Sequence, residues 1–196
     1  MSFDLVIIAA STGGPKAVRK VLSPLPENIP FALIIVQHML PRMFMSYVKT
    51  LAGSVDFPLA KAMDGERLEK GRAYVAPAGY HLRLSRNAHN VTFALDQKTP
   101  PISGHRPAAD ILIGDAAFLP LHTAVIVLTG MGKDGLHGVK KLKAKLSGKC
   151  WVVAEDERSA LVYGMPRAIV ENHLADAVLT LDDIASWLAK QAESTG

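Results

Sequence analysis

Short runs of β-favouring apolar residues alternate with amphipathic stretches along almost the whole chain, and no other feature constrains its fold as strongly. Residues 5–10, 32–37 (as far as Val36), 124–128, 151–154 and 177–179 are apolar at successive positions. That pattern is expected of strands buried on both faces. Between and after them, residues 15–22, 42–51, 108–118, 136–146, 166–170 and 184–191 read as helices. Strand–helix–strand alternation predicts an α/β fold, with a mostly parallel sheet covered on both faces. From 61 to 95 the pattern changes. Residues 74–76, 81–85 and 91–95 read as short strands punctuated by Gly and Asn, with 86–90 as a hairpin turn. This predicts an antiparallel excursion at one sheet edge. No linker-like stretch interrupts the chain, so one domain over 1–196 is expected.

Composition excludes several classes. A chain of 196 residues that is 49% apolar and 20% charged is neither disordered nor too small for a core. Its longest apolar run, 29–36, is far short of a membrane span, and the N-terminus lacks the regions of a secretory signal. The single Cys150 forms no internal disulfide, so a cytoplasmic protein without membrane insertion is expected. The net charge is +4, and five lysines fall between Lys140 and Lys149. No aromatic residues interleave with them, so a solvated helix face is preferred over a nucleic-acid patch.

Three segments at strand ends carry residues suited to chemistry. Ser11-Thr12-Gly13-Gly14-Pro15 lies where the first strand gives way to the first helix, the ligand-binding edge of an open α/β sheet. The glycines suit close backbone approach, and the helix N-terminus favours an oxyanion. Ser11 is there either a nucleophile or an N-cap beside phosphate-binding glycines. His38 follows the second strand and emerges at the same edge. The third segment, Gly130-Met131-Gly132-Lys133-Asp134-Gly135, follows the 124–128 strand and matches G-x-G-x-x-G. With Glu155 and Asp156 about 20 residues on, it keeps a dinucleotide-binding module open. Against that, Asp134 sets a negative charge where a pyrophosphate would dock; a carboxylate there is better suited to orienting a histidine. No histidine pair has zinc-type spacing, so no metal is expected. Two further segments, His105-Arg106-Pro107 and Tyr163-Gly164-Met165-Pro166-Arg167, are either functional or ordinary loop structure. Arg106 is suited to clamping a carboxylate-bearing substrate.

Taken in order, these segments resemble the catalytic domain of the chemotaxis-receptor methylesterase family, CheB. The matching pieces are I-x-A-S-T-G-G-P around Ser11, V-Q-H-M around His38, D-G-E at 64–66 and Y-V-A-P at 74–77. They continue with H-R-P at 105–107, L-T-G-M-G-K-D-G at 128–135 and V-Y-G-M-P-R at 162–167. The resemblance implies a doubly wound, mostly parallel α/β sheet and hydrolysis of glutamyl methyl esters on the cytoplasmic helices of chemoreceptors, with deamidation of glutamines. It implies Ser11, His38 and Asp134 as nucleophile, base and orienter, oxyanion donors at the Thr12 and Met131 amides, and no cofactor. A catalytically idle receptor-binding relative is the other reading. The first strand begins within a few residues of Met1, so the receiver domain usual in the family is expected to be absent. Ala9 replaces the glycine common in that turn, and Gly114-Asp115-Ala116-Ala117 and the 145–149 turn depart from the family pattern, which bears on the substrate.

Overall fold

The structure is a computed structural model that describes residues 2–87 and 90–193. In chain order its elements are β1 (Leu5–Ala10), α1 (Gly14–Leu22), β2 (Ala32–Gln37), α2 (Pro41–Ala52), β3 (Leu59–Lys61), β4 (Ala73–Val75), β5 (His81–Arg86) and β6 (Val91–Asp96). They continue with α3 (Ala109–Ala116), β7 (Thr123–Val127), α4 (Leu136–Lys145), β8 (Cys150–Glu155), α5 (Met165–Glu171), β9 (Ala177–Leu179) and α6 (Leu181–Glu193). Seven strands form one sheet in the order β3-β4-β2-β1-β7-β8-β9, with every pairing parallel. The chain winds outward from β1 to one side and then, from β7, to the other. The doubly wound α/β expectation therefore holds.

The two sheet faces carry separate cores because successive side chains point to opposite sides. Val6, Ile8 and Ala10 pack with Val18, Leu22, Phe44 and Leu188, from α1, α2 and α6. Leu5, Ile7 and Ala9 pack on the side of Leu112, Val139 and Ile169, from α3, α4 and α5. All six residues of β1 and of β2 are buried, which is why their limits are readable as continuous apolar runs. Each fully buried Leu or Ile contributes roughly 1.5–3 kcal/mol.

The 61–95 region differs in detail from its expectation. Tyr74 belongs to β4, a parallel strand inside the main sheet that pairs with both β2 and β3. Being three residues long, it offers no periodicity to distinguish parallel from antiparallel use. Among the strands named above, β5 and β6 alone pair antiparallel, as a separate two-stranded ribbon whose Leu82, Leu84 and Phe93 join the α3/α4 core. Asn87 and Asn90 close the hairpin, with the Asn90 amide donating to the Asn87 Oδ1 at 2.9 Å. The centre of the expected 86–90 turn lies outside the described residues. Asp115, out of place by the family pattern, has a use here. It accepts two bonds from the Arg83 guanidinium, at 2.6 and 2.8 Å, and so ties α3 to the ribbon.

His81, fully buried at the start of β5, latches the segment that runs up to α3. Its Nε2 lies 3.0 Å from the Pro100 carbonyl, and its Nδ1 accepts the Ala108 amide at 3.2 Å. That pattern needs a neutral ring, since an imidazolium would set N–H against N–H. Burial, the largest cause, holds its pKa below the ordinary 6.5, and the bond to Pro100 opposes it.

A Cβ on Gly138 of α4 would lie 2.8 Å from the Ile113 Cβ and 2.9 Å from the Asp110 carbonyl oxygen of α3. Gly138→Ala should therefore destabilise by about 1–3 kcal/mol despite a gain of about 1 kcal/mol in helix propensity. Gly114→Ala meets only the flexible end of Lys141, at 3.7 Å, and should stabilise by about 0.5–1 kcal/mol. Urea midpoints of the same sign for both would contradict the packing account. Because the folded pKa of His81 is depressed, its contribution is present above the ordinary value and is lost as pH falls below it. Native protein should lose stability between about pH 7.5 and about pH 5.5. His81→Gln, which keeps a donor and an acceptor, should lose less over that interval; an equal loss would rule the latch out.

Candidate active site

Parallel register brings three strand ends to one edge. Ala10 pairs with Gln37 and Ala9 with Val127, so the segments after β1, β2 and β7 emerge side by side at the switch point of the sheet. Ser11 is held there through its backbone. Its amide donates to the Thr129 carbonyl at 3.0 Å, and its carbonyl accepts from Gly14 at 2.9 Å and from the Gln37 Nε2 at 2.8 Å. Gly13 takes a left-handed conformation, φ 83°, that turns the chain into α1. The glycines make room for protein rather than for a ligand. A Cβ on Gly14 would strike the Gln37 Oε1, and one on Gly13 would lie 2.9 Å from the Leu161 Cβ.

His38 and Asp134 form a buried pair. The His38 Nε2 is 2.7 Å from the Asp134 Oδ2, and their side chains are 3% and 2% exposed. Asp134 also accepts amides of Ala109 at 2.7 Å, Asp110 at 2.9 Å and Gly135 at 3.0 Å. The first two belong to the N-terminal turn of α3, where unpaired amides and the helix dipole favour a carboxylate. Burial would raise the pKa of Asp134, but the bonds from His38, Asp110 and Ala109 prevail and hold it below the ordinary carboxylate value. An ionised Asp134 requires the His38 proton on Nε2, which assigns the tautomer from the network. The lone pair is then on Nδ1, which is buried and has no hydrogen-bond partner among the described residues. Asp110 repeats the device in reverse, accepting the Gly138 amide in the first turn of α4 at 2.8 Å.

Ser11 and His38 line a cleft of about 970 Å³ together with Thr12, Tyr47, His105 and Arg106. The Arg106 guanidinium donates to the Thr99 carbonyl at 2.6 Å, while its buried Nε has no partner among the described residues. Thr12 is exposed on the cleft wall, and its carbonyl accepts the Thr129 hydroxyl at 2.9 Å. Met131, 70% exposed, stands on the loop after β7 and is not part of the cleft lining. His105 is a residue to which the sequence assigned a segment but no role of its own. Its ring stacks on that of His38 with centroids 4.0 Å apart and planes within 8°. The H-R-P segment pointed to this loop, but nothing in its spacing pointed to the stack.

The features that suggested a dinucleotide have other employment. Glu155 is fully buried and accepts the Thr129 amide at 2.8 Å and the Ser159 hydroxyl at 3.0 Å. Burial, opposed by those two bonds, raises its pKa. Gly130 is closely packed against Met165 and Ser11, and its carbonyl accepts the Gly164 and Met165 amides at 3.1 and 2.9 Å. The Tyr163–Arg167 segment is thus the seat of the glycine loop at Gly130.

Known proteins resemble this chain in both sequence and fold. A protein-glutamate methylesterase/protein-glutamine glutaminase of Chromohalobacter salexigens is 39% identical over 196 residues, covering 100% of this chain and 54% of that protein. One of the same name from Pyrococcus horikoshii is 36% identical over 189 residues, covering 96% of this chain and 50% of that protein. The chain thus spans about half the length of these relatives. The crystal structure of the Thermotoga maritima CheB methylesterase catalytic domain superposes with a TM-score of 0.90 at 36% identity, over 97% of this chain and 99% of that one. The CheB methylesterase family model matches residues 6–188, and the chain belongs to that family.

Proposed function

We propose that this chain is a cytoplasmic catalytic unit that hydrolyses methyl esters of glutamate side chains on the cytoplasmic helices of chemoreceptors, and deamidates glutamines there. The observation that carries the reading is the buried His38–Asp134 bond, which leaves a basic nitrogen free at the strand edge occupied by Ser11.

In this mechanism the His38 Nδ1 takes the Ser11 Oγ proton as Oγ attacks the ester carbonyl, and Asp134 keeps the other ring nitrogen protonated. The tetrahedral adduct collapses to an acyl-serine, and His38 returns the proton to the departing methoxide, releasing methanol. Water then attacks the acyl-serine with His38 again as base, giving the free glutamate and restoring Ser11. A glutamine side chain follows the same path with ammonia as the leaving group. The Thr12 and Met131 amides are the proposed oxyanion donors, each worth about 3–4 kcal/mol in comparable hydrolases. Arg106, on the cleft wall, is suited to steering an acidic segment of the receptor helix toward Ser11. No step calls for a metal or an organic cofactor. A partner receiver domain would account for the other half of the relatives' length.

The test is release of labelled methanol from methylated chemoreceptor membranes. Ser11→Ala should lower kcat by about 10³- to 10⁶-fold with the melting temperature unchanged. Asp134→Asn should lower it by about 10⁴-fold, because the amide no longer enforces the tautomer. Native rates in either variant would overturn the triad. Release by no form of the protein would redirect the reading to another ester or to an idle relative.

A further inference from the structure

The proposed triad leaves His105 without a role, although its imidazole lies flat on His38, 4.0 Å away centroid to centroid. The turn that carries it fixes this pose. Ile102 and His105 exchange both backbone hydrogen bonds, at 3.0 and 2.9 Å, across Ser103 and Gly104, whose φ angles are 49° and 82°. Reciprocal bonds around two positive φ angles make a tight two-residue reverse turn, a conformation that Ser103 adopts only at some cost. Four residues further on, the Ala109 amide holds Asp134 Oδ2, the oxygen that also faces His38 Nε2. The His81 latch bridges Pro100 and Ala108 around the turn. One segment therefore touches both members of the His38–Asp134 pair, one through a ring face and the other through backbone amides.

The bond to Asp134 fixes one end of the His38 ring but leaves it free to tilt, and tilting would change the direction in which Nδ1 points. A flat neighbour restrains the plane. When His38 accepts the serine proton it becomes a cation, and a neutral aromatic face is a favourable surface for it. We propose that His105 is a positioning residue for this reaction, holding the plane of the His38 ring and, while neutral, presenting its face to the imidazolium that forms. The inference rests on the roles given above to Ser11 and His38.

Charge around His105 suits that role. Burial is the largest cause that lowers its pKa, and His38 adds to it; Asp134, on the β7–α4 loop, pulls the other way. Arg106 on its own segment and Arg42 at the start of α2 are the other charged groups that line the same cleft. Once protonated, His105 would oppose the charging of His38.

The test compares native protein, His105→Ala and His105→Phe by two readouts. One is the second-order rate of Ser11 labelling by a serine-directed fluorophosphonate, which needs no natural substrate. The other is kcat and KM for methanol release across a pH series. His105→Ala should lose about 10- to 100-fold in labelling rate and kcat with KM little changed. His105→Phe, which keeps the flat ring and cannot titrate, should recover most of that loss and weaken the acid-side fall in rate. Native labelling rates in His105→Ala would overturn the proposal, as would His105→Phe being as slow as His105→Ala. If the alanine variant does not fold, superimposable acid limbs for native and His105→Phe would overturn it. A native protein that the phosphonate does not label would instead sink the nucleophile assignment, and this inference with it.

Discussion

The Asp134 carboxylate is buried at a place where an uncompensated charge would cost several kcal/mol. Four donors surround it: the His38 ring and the amides of Ala109, Asp110 and Gly135. Bonds to an ionised acceptor are about twice as strong as neutral ones, so the set offsets desolvation and keeps the group charged. That charge dictates the rest of the site. It sets the proton on the His38 Nε2, leaves the lone pair on Nδ1, and seats the first turn of α3 against the loop after β7.

The arrangement also explains how a site made from loops stays in place. Asp134, just ahead of α4, satisfies amides of α3, while Asp110 in α3 satisfies an amide of α4. The two helices thereby exchange carboxylates at their N-termini. Gly138 lets them approach until no Cβ fits between, and Arg83–Asp115 fastens α3 to the β5–β6 ribbon. On the other side of the cleft, Gln37 ties the ends of β1 and β2 together through the Ser11 and His38 carbonyls. Preorganisation of this kind lets a hydrolytic site avoid rearrangement at the moment of reaction.

The cleft wall combines apolar residues of α2 with a few polar groups on the 104–107 turn. Leu40, Met43, Met131 and Leu161 stand exposed on the segments that carry or adjoin the site residues. No helix among the described residues is long and apolar enough to cross a membrane. Met39, Leu40 and Met43 give the cleft a lining of side chains that adapt to shape, and Arg42 and Arg106 bring positive charge to it.

The sequence by itself determined the elements whose signal is local. The limits of β1 and β2 are readable because an apolar run between turn residues has few other uses. The strand-end places of Ser11, His38 and Asp134 follow from the same pattern. The three-residue β3 was not legible, because a half-buried strand of that length has no period to detect. The short β4 was visible as a strand, but its parallel partner was not. The tertiary structure alone decided which ring nitrogen of His38 meets Asp134, that His105 covers its face, and that Gln37 and Leu161 take the space beside Gly14 and Gly13. His38 and Asp134 are 96 residues apart in the chain. The orientation of one side chain against another at that distance depends on how whole elements pack, and no local pattern of residue types encodes it.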